Sequence, residues 1–250
     1  MTESSGAAGV PRRAEVVGAL AAELDRVRPG RRCLVALDGV DGVGKSHLAA
    51  ELVHHALSYG GRPMVSVSID GFHRARADRI AAGRGPEGFY RGSYRYDEFR
   101  RCVVDAVRLG QPLVPAVWDV ARDEPAAPEA IELAPEAIVL VDGIFLQRPE
   151  LVDVWDATVW VEAPFTVTVP RGNARFAGPH DADPEAASNR RYVGGQRLYL
   201  EQARPRERST WVLDNTDLDR PRLTRSSAPS APADPPAPGQ QTLRPEATFL

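Results

Sequence analysis

The chain predicts an α/β fold in which a mostly parallel sheet is covered by helices on both faces. Three observations carry this reading. Short apolar runs alternate along the chain with segments whose apolar residues recur at helical spacing. Those runs are continuous rather than alternating, as in strands buried on both sides. Three of them end in Asp-Gly, at Asp38, Asp70 and Asp142, which sets three acids at strand ends.

Taken in order, residues 1–10 are small and polar and are expected to be disordered. Arg12–Val27 reads as a helix, because Val16, Val17, Leu20, Ala21, Leu24 and Val27 share one face. Strands are expected at Cys33–Val40, Met64–Asp70, Ala137–Phe145, Ala157–Ala163 and Ser209–Thr216. Helices are expected at Ser46–Tyr59, Tyr96–Leu109, Pro149–Trp155, Pro164–Ala174 and Pro184–Gln202. Gly83–Arg95, rich in Gly, Arg and Tyr, and Phe176–Asp183 read as long polar loops, which in a compact domain are functional or disordered. From Ser226 the chain turns Pro/Ala/Ser-rich and has too little to bury. The expected organisation is a folded domain over 11–225 with disordered ends at 1–10 and 226–250.

Composition narrows the class. The 250 residues are 43% hydrophobic and 26% charged, the balance of a globular protein. A net charge of -3 makes no electrostatic case for nucleic acid or anionic membrane. No apolar run approaches the roughly 18–20 residues of a membrane span, and the first residues lack a signal-peptide pattern. Cys33 and Cys102 are too few for a disulfide framework or a four-thiolate zinc site and read as core. Trp155 and Trp160 also read as core, and His54 and His55 show no metal-ligand spacing. The expectation is a reduced, cytoplasmic protein with no nucleic-acid or membrane partner. Its oligomeric state stays open, a homo-oligomer included.

Gly39-Val-Asp-Gly-Val-Gly-Lys-Ser46 matches the phosphate-binding pattern G-x-x-x-x-G-K-[ST], in the required context of strand, loop and helix. Glycines let backbone N–H groups approach phosphates, Lys45 reaches the β/γ oxygens, and the Ser46 hydroxyl ligates Mg²⁺. Lys45 is also the one lysine among 31 basic residues. Gly39, Val40, Asp41, Gly42, Val43, Gly44, Lys45, Ser46 and the adjoining His47 form the expected ATP-binding stretch. A GTPase needs a downstream Asn-Lys-x-Asp and a protein kinase its own strand lysine; with Lys45 already used, both are excluded in their usual form. Asp70, at a strand end beside this loop, is placed to accept a proton from an attacking hydroxyl. Asp142, ending an apolar strand, fits a carboxylate that organises Mg²⁺.

Together with this loop, Ile69-Asp-Gly-Phe-His73, Pro86-Glu-Gly-Phe-Tyr-Arg-Gly-Ser-Tyr-Arg-Tyr-Asp97, Leu140-Val-Asp-Gly-Ile-Phe145 and Asn189-Arg-Arg-Tyr-Val-Gly-Gly-Gln196 resemble the uridine kinase-like group of P-loop kinases. That group includes pantothenate kinase and phosphoribulokinase, and the resemblance covers roughly residues 30–220. It implies a three-layer P-loop NTPase fold with a helical lid at about 171–195. The implied activity is Mg²⁺-dependent transfer of the ATP γ-phosphate to a hydroxyl of a small metabolite. A nucleoside, uridine or cytidine, comes first; pantothenate, another acidic metabolite or a nucleoside monophosphate are the alternatives. By resemblance Asp70 is the catalytic aspartate, and Arg171 and Arg175 are lid arginines that close on the phosphoryl group. Phe72, His73, Tyr90 and Tyr96 shape the acceptor pocket, with Trp118 where the group has the Tyr of a Tyr-Asp pair. Asn215 falls where adenine is held.

The chain departs from the group at Asp142, where a Glu is usual, and at Phe176, where an Asp follows the lid arginine. Asp123 stands near the place of a pyrimidine-contacting His. Leu37–Lys45 alone also resembles the P-loop of thymidylate kinase, which the downstream motifs fit poorly. A reading of another class is a non-catalytic nucleotide-binding regulatory protein, its turnover ended by these departures. In the Pro86–Asp97 stretch Tyr90, Tyr94 and Tyr96 suit a flat base, whereas Arg91 and Arg95 suit a carboxylate or phosphate.

Overall fold

A computed structural model describes residues 11–226 except 177. The expected disordered ends, 1–10 and the tail beyond Ser226, lie outside the described residues. Ser226 itself still donates its backbone N–H to Thr210.

Helix α1 (Arg13–Leu24) buries Val16, Val17, Leu20, Ala21 and Leu24, the face that the periodicity predicted. It leads to strand β1 (Cys33–Gly39), which is buried at every position. Helix α2 (Lys45–Tyr59) and strand β2 (Met64–Ser68) follow, then α3 (Arg76–Ala81), α4 (Pro86–Gly92) and α5 (Tyr96–Phe99). The helix begun by α5 runs through a π stretch at Arg100–Val104 into α6 (Asp105–Leu109), where Gly110 at φ 75° ends it. A two-strand ribbon pairs β3 (Trp118–Asp119) with β4 (Glu124–Pro125). The remaining elements are β5 (Ile138–Gly143), β6 (Ala157–Glu162), α7 (Phe165–Asn173), α8 (Arg190–Ala203), α9 (Pro205–Arg208), β7 (Trp211–Asp214) and β8 (Arg222–Arg225).

The main sheet has the order β2-β5-β1-β6-β7-β8, parallel except for β8. Successive residues of a strand face opposite sides, so unbroken burial along β1 and β5 means that helices cover both faces. Parallel pairing sends the carboxyl ends of β1, β2, β5, β6 and β7 to one edge, where α/β folds bind ligands. Among the described residues no helix is long and apolar enough to cross a membrane.

Three expectations change, and some elements were not expected. Gly83–Arg95 contains helix α4 with Pro86 at its start, a position that suits proline. Its two glycines, Gly88 and Gly92, are tolerated because α8 packs directly upon it: a Cβ on Gly195 would come within 2.7 Å of Phe89 Cδ1. Pro149–Trp155 forms turns rather than a helix, closed by i→i+3 bonds from Leu151 to Arg148 and from Val154 to Leu151. The helix expected from Pro184 starts at Arg190, because the buried Asn189 amide holds the carbonyls of Asp181 and Asp183 in a preceding turn. Finally, α3, β8 and the β3–β4 ribbon had no expectation at all.

Asp38 also departs from the row of acids at the sheet edge. It is fully buried and accepts hydrogen bonds from the Tyr199 hydroxyl, Gln147 Nε2 (3.2 Å) and the Gly39 N–H (2.9 Å). It thus ties α8 to β1. Burial pushes its carboxyl up to about 6, against the pull of Tyr199 and Gln147. A folded-state value above the usual 3.8 means that the native state binds the proton more tightly. Stability from this group is therefore present at low pH and is lost as pH rises through about 4 to 6. The unfolding free energy of the wild type minus that of Asp38→Asn is expected to fall by about 2 kcal/mol between pH 4 and 6. A flat difference in denaturant titrations would show an ordinary carboxylate.

Candidate active site

β1 ends at Gly39, and the chain loops through Val40–Gly44 before α2 begins at Lys45. Gly42 has φ 74°, and a Cβ there would lie 2.2 Å from the Thr168 carbonyl oxygen, so α7 rests on the bare loop backbone. Lys45 is buried, and its Nζ donates to the Val40 carbonyl at 2.8 Å. Burial pulls its pKa down, and the carboxylates of Asp41, Asp38, Asp142 and Asp70 hold it up. The Ser46 hydroxyl donates to Asp142 Oδ2 at 2.5 Å. Burial raises the Asp142 carboxyl, opposed by that hydroxyl and by Lys45.

Asp70 sits in a single 3₁₀ turn, Ile69–Phe72, just past the end of β2. Its backbone N–H donates to Ser68 Oγ, and Tyr94 O–H donates to its Oδ1 at 3.0 Å. His73 Nδ1 lies 2.9 Å from the Asp70 carbonyl oxygen, with its ring 4.5 Å from that of Tyr94.

The structure brings Lys45, Ser46, His47, Asp70, Asp142, Arg171 and Arg175 around one cavity of about 270 Å³. This opens, past Asp41, Asp70 and Arg175, into a cleft of about 860 Å³. His73 and Tyr94 line the cleft from the sheet side; Arg191, Tyr192 and Gln196 of α8 line it from the other. Arg175 reaches to 4.0 Å from Asp41 Oδ1. Arg171 donates to the carbonyls of Asn215 (3.0 Å) and Thr216 (2.7 Å). The described residues of the segment expected as a lid are the end of α7, irregular stretches over 174–176 and 178–189, and the start of α8.

Other expected site residues are placed elsewhere. Phe72 is fully buried and packs edge-on against Phe99. Tyr90 points into the core between Phe145 and Tyr199, because the inner face of α4 carries it there. Tyr96 lies under the Arg148 guanidinium, and the Trp118 ring is covered by Arg95 at 4.8 Å. None of these four lines the cleft. Asn215 has its amide used inside the protein: Nδ2 donates to the Val43 carbonyl (2.6 Å) and Oδ1 accepts from Arg13 (2.9 Å). It braces the Val40–Gly44 loop through Val43, and both ends of its amide are taken up by the protein.

The donor set suits a nucleotide with Mg²⁺. Phosphates need bare backbone and a cation, which the Gly42 turn and Lys45 offer. A hydroxyl and one carboxylate as hydrogen-bonded neighbours suit a hard cation that keeps phosphate oxygens and water as its other ligands. Among the described residues there is no cluster of three or more His, Cys, Asp or Glu that could hold a metal by itself.

No protein-family model matches the chain. Solved structures do. A possible uridine kinase from Bacillus stearothermophilus superposes with a TM-score of 0.63 at 18% identity, over 79% of this chain and 97% of that one. A candidate fructose transport system kinase from Silicibacter gives 0.60 at 28% identity, over 76% and 94%. D-glycerate 3-kinase from Cryptococcus neoformans gives 0.55 at 12% identity, over 85% and 98%. The fold is that of the uridine kinase-like P-loop kinases.

Within this kinase fold, two residues that hold the phosphate loop were missed in sequence. Gln196 accepts the Asp41 N–H at 2.6 Å, and Arg13 joins Glu51 of α2 to Asn215. Gln196 stood inside a quoted motif, but nothing in its spacing pointed to the loop some 155 residues earlier. Arg13 carried no signal. If Asn215 is a brace, Asn215→Ala is expected to raise the dissociation constants of ATP and GTP together and to lower stability by about 1–3 kcal/mol. Titrations in which the preference between the two nucleotides collapses would return the side chain to base recognition.

Proposed function

We propose that the protein is a kinase that transfers the γ-phosphate of ATP to a hydroxyl of a small metabolite. One observation carries the reading: the loop lysine, its serine, Asp142, Asp70 and two lid arginines converge on one cavity that opens into a second space large enough for an acceptor. The structural neighbours, kinases for several different acceptors, support phosphoryl transfer without choosing among them.

Bound ATP with Mg²⁺ would supply the transferable phosphoryl group and a Lewis acid, held by the loop amides, Lys45, Ser46 and Asp142. The chain does the rest by position and charge, as phosphoryl transfer requires. Lys45 needs only to leave the Val40 carbonyl to meet phosphate oxygens. Asp70 accepts the acceptor's hydroxyl proton; Tyr94 fixes Oδ1, leaving Oδ2 without a hydrogen-bond partner among the described residues. Arg175, near Asp41 at the cleft mouth, brings positive charge toward the transferring group. The nucleoside expectation loses much of its support here, since Tyr90, Tyr96 and Trp118 do not line the cleft.

Lys45→Ala is expected to abolish acceptor-dependent ADP release and weaken ATP binding while the fold persists. A folded variant with near-normal turnover would remove the phosphate-loop argument. Asp70→Asn is expected to lower kcat by roughly 10²–10⁴ with little change in ATP affinity. A loss smaller than about threefold would leave Asp70 a turn residue. A non-catalytic nucleotide-binding protein is distinguished by ATP consumption that no acceptor stimulates.

A further inference from the structure

The wall of the large cleft away from the phosphate loop is lined by arginines. Arg76 and Arg79 of α3, Arg84 in the turn before α4, and Arg191 at the start of α8 all face the same space. Elsewhere many arginines are held by carboxylates, as Arg91 by Glu87, Arg100 by Asp153, Arg108 by Asp156 and Arg197 by Glu185, or by carbonyls, as Arg32 by Ala134 and Arg62 by Glu136. Among the described residues none of the four guanidinium groups has a carboxylate within 4.0 Å; the Asp123 carboxylate accepts the backbone N–H of Arg76 at 2.8 Å and not its side chain. Arg79 gives only its Nε, to the Arg74 carbonyl. Arg191 is more telling. Its Nε is buried with no hydrogen-bond partner, a donor left unsatisfied at the edge of the cleft. The carboxylates that line the cleft, Asp41 and Asp70, belong to the phosphate-loop end, and Arg175 already stands near Asp41. The two arginines that the sequence set among the tyrosines do not contribute: Arg91 is held by Glu87, and Arg95 lies on Trp118 near Glu98.

We infer that the acceptor is an anion, a small hydroxylated compound whose carboxylate or phosphate group is held by Arg84, Arg191, Arg76 and Arg79 while its hydroxyl meets Asp70. This rests on the kinase reading and adds the substrate class. Clustered cations without counter-charges repel one another, and a buried unpaired N–H is costly. An oxyanion answers both, since guanidinium groups match carboxylate and phosphate in geometry. A neutral nucleoside or sugar answers neither.

The test has two arms. In the first, the protein is saturated with the non-hydrolysable ATP analogue AMP-PNP and Mg²⁺, so that the phosphate-loop site is filled, and inorganic phosphate and acetate are titrated by calorimetry. Saturable binding is expected, weakened about tenfold or more by Arg84→Ala and by Arg191→Gln, each a hydrogen bond to a charged group. Absent binding of both anions, or binding that neither variant changes, overturns the proposal. In the second arm, ADP release is followed with uridine, cytidine and fructose as neutral acceptors, glycerate and pantothenate as carboxylates, and ribulose 5-phosphate and dTMP as phosphates. The expected result is a carboxylate or a phosphate acceptor ahead of every neutral one by tenfold or more in kcat/KM, its KM rising in both arginine variants. Which anionic set responds tells carboxylate from phosphate; a neutral acceptor in front overturns the proposal. Analogue and anion binding without ADP release from any acceptor would sink the kinase reading and leave the anion site standing.

Discussion

Between Gly39 and Lys45 the chain leaves the sheet and turns back into a helix with little side chain to bury, so its polar backbone has to be satisfied from outside the loop. The structure does this from several directions. Asn215 takes the Val43 carbonyl, Lys45 takes the Val40 carbonyl, and Gln196 receives the Asp41 N–H. The α7 backbone presses on Gly42. Each partner comes from a different element, so the loop's shape depends on β7, α7 and α8 arriving together. The site is built around that dependence. Asn215 is itself set by Arg13, which also grips Glu51, so α1, α2 and the end of β7 are joined in one chain of contacts.

The electrostatic consequence is a buried group of charges at the sheet edge that support one another. Burial pulls the Lys45 pKa down while four carboxylates raise it, and Asp142 is raised by burial and lowered by Ser46 and Lys45. Asp38 is bound into the fold and does not line the cavity. It is enclosed, and it shares its charge with Tyr199 and Gln147. The three Asp-Gly pairs, alike on paper, thus divide into a buried anchor, a carboxylate hydrogen-bonded to Ser46 and a carboxylate open to solvent. What separates them is depth: Asp38 faces α8, whereas Asp70 lies past the end of its strand in a 3₁₀ turn. Of the three, only Asp70 and Asp142 line the cavity.

Much of this architecture could be read from the chain, because its signals are local. Continuous apolar runs marked every parallel strand of the main sheet within a few residues, and the glycine-lysine-serine pattern located the loop, as the repeating hydrogen-bond geometry of strands and the phosphate chemistry of backbone amides require. Lys45, Ser46, Asp70 and Asp142 were legible for the same reason. Helix α4 was not: its glycines read as a loop, and it forms because Gly195 of α8 lets Phe89 and Pro86 approach. Nor was the turn before α8, which depends on Asn189 reaching carbonyls six and eight residues back.

What the sequence determined by itself was therefore the parallel strands of the main sheet, the Gly39–Ser46 loop and the acids at or just past strand ends, all set by contacts or patterns within about ten residues. Only the tertiary structure decided which side chains share the cleft. Tyr90, Tyr96 and Trp118 looked like a base-stacking set and lie away from the cleft, in the core or under arginines, while Arg76, Arg79, Arg84 and Arg191, unremarked in the chain, line it. The physical reason is that a side chain's direction follows from the helix that carries it and the face which that helix buries. In α4 and α8 that face was set by packing between elements about a hundred residues apart, which no local pattern records.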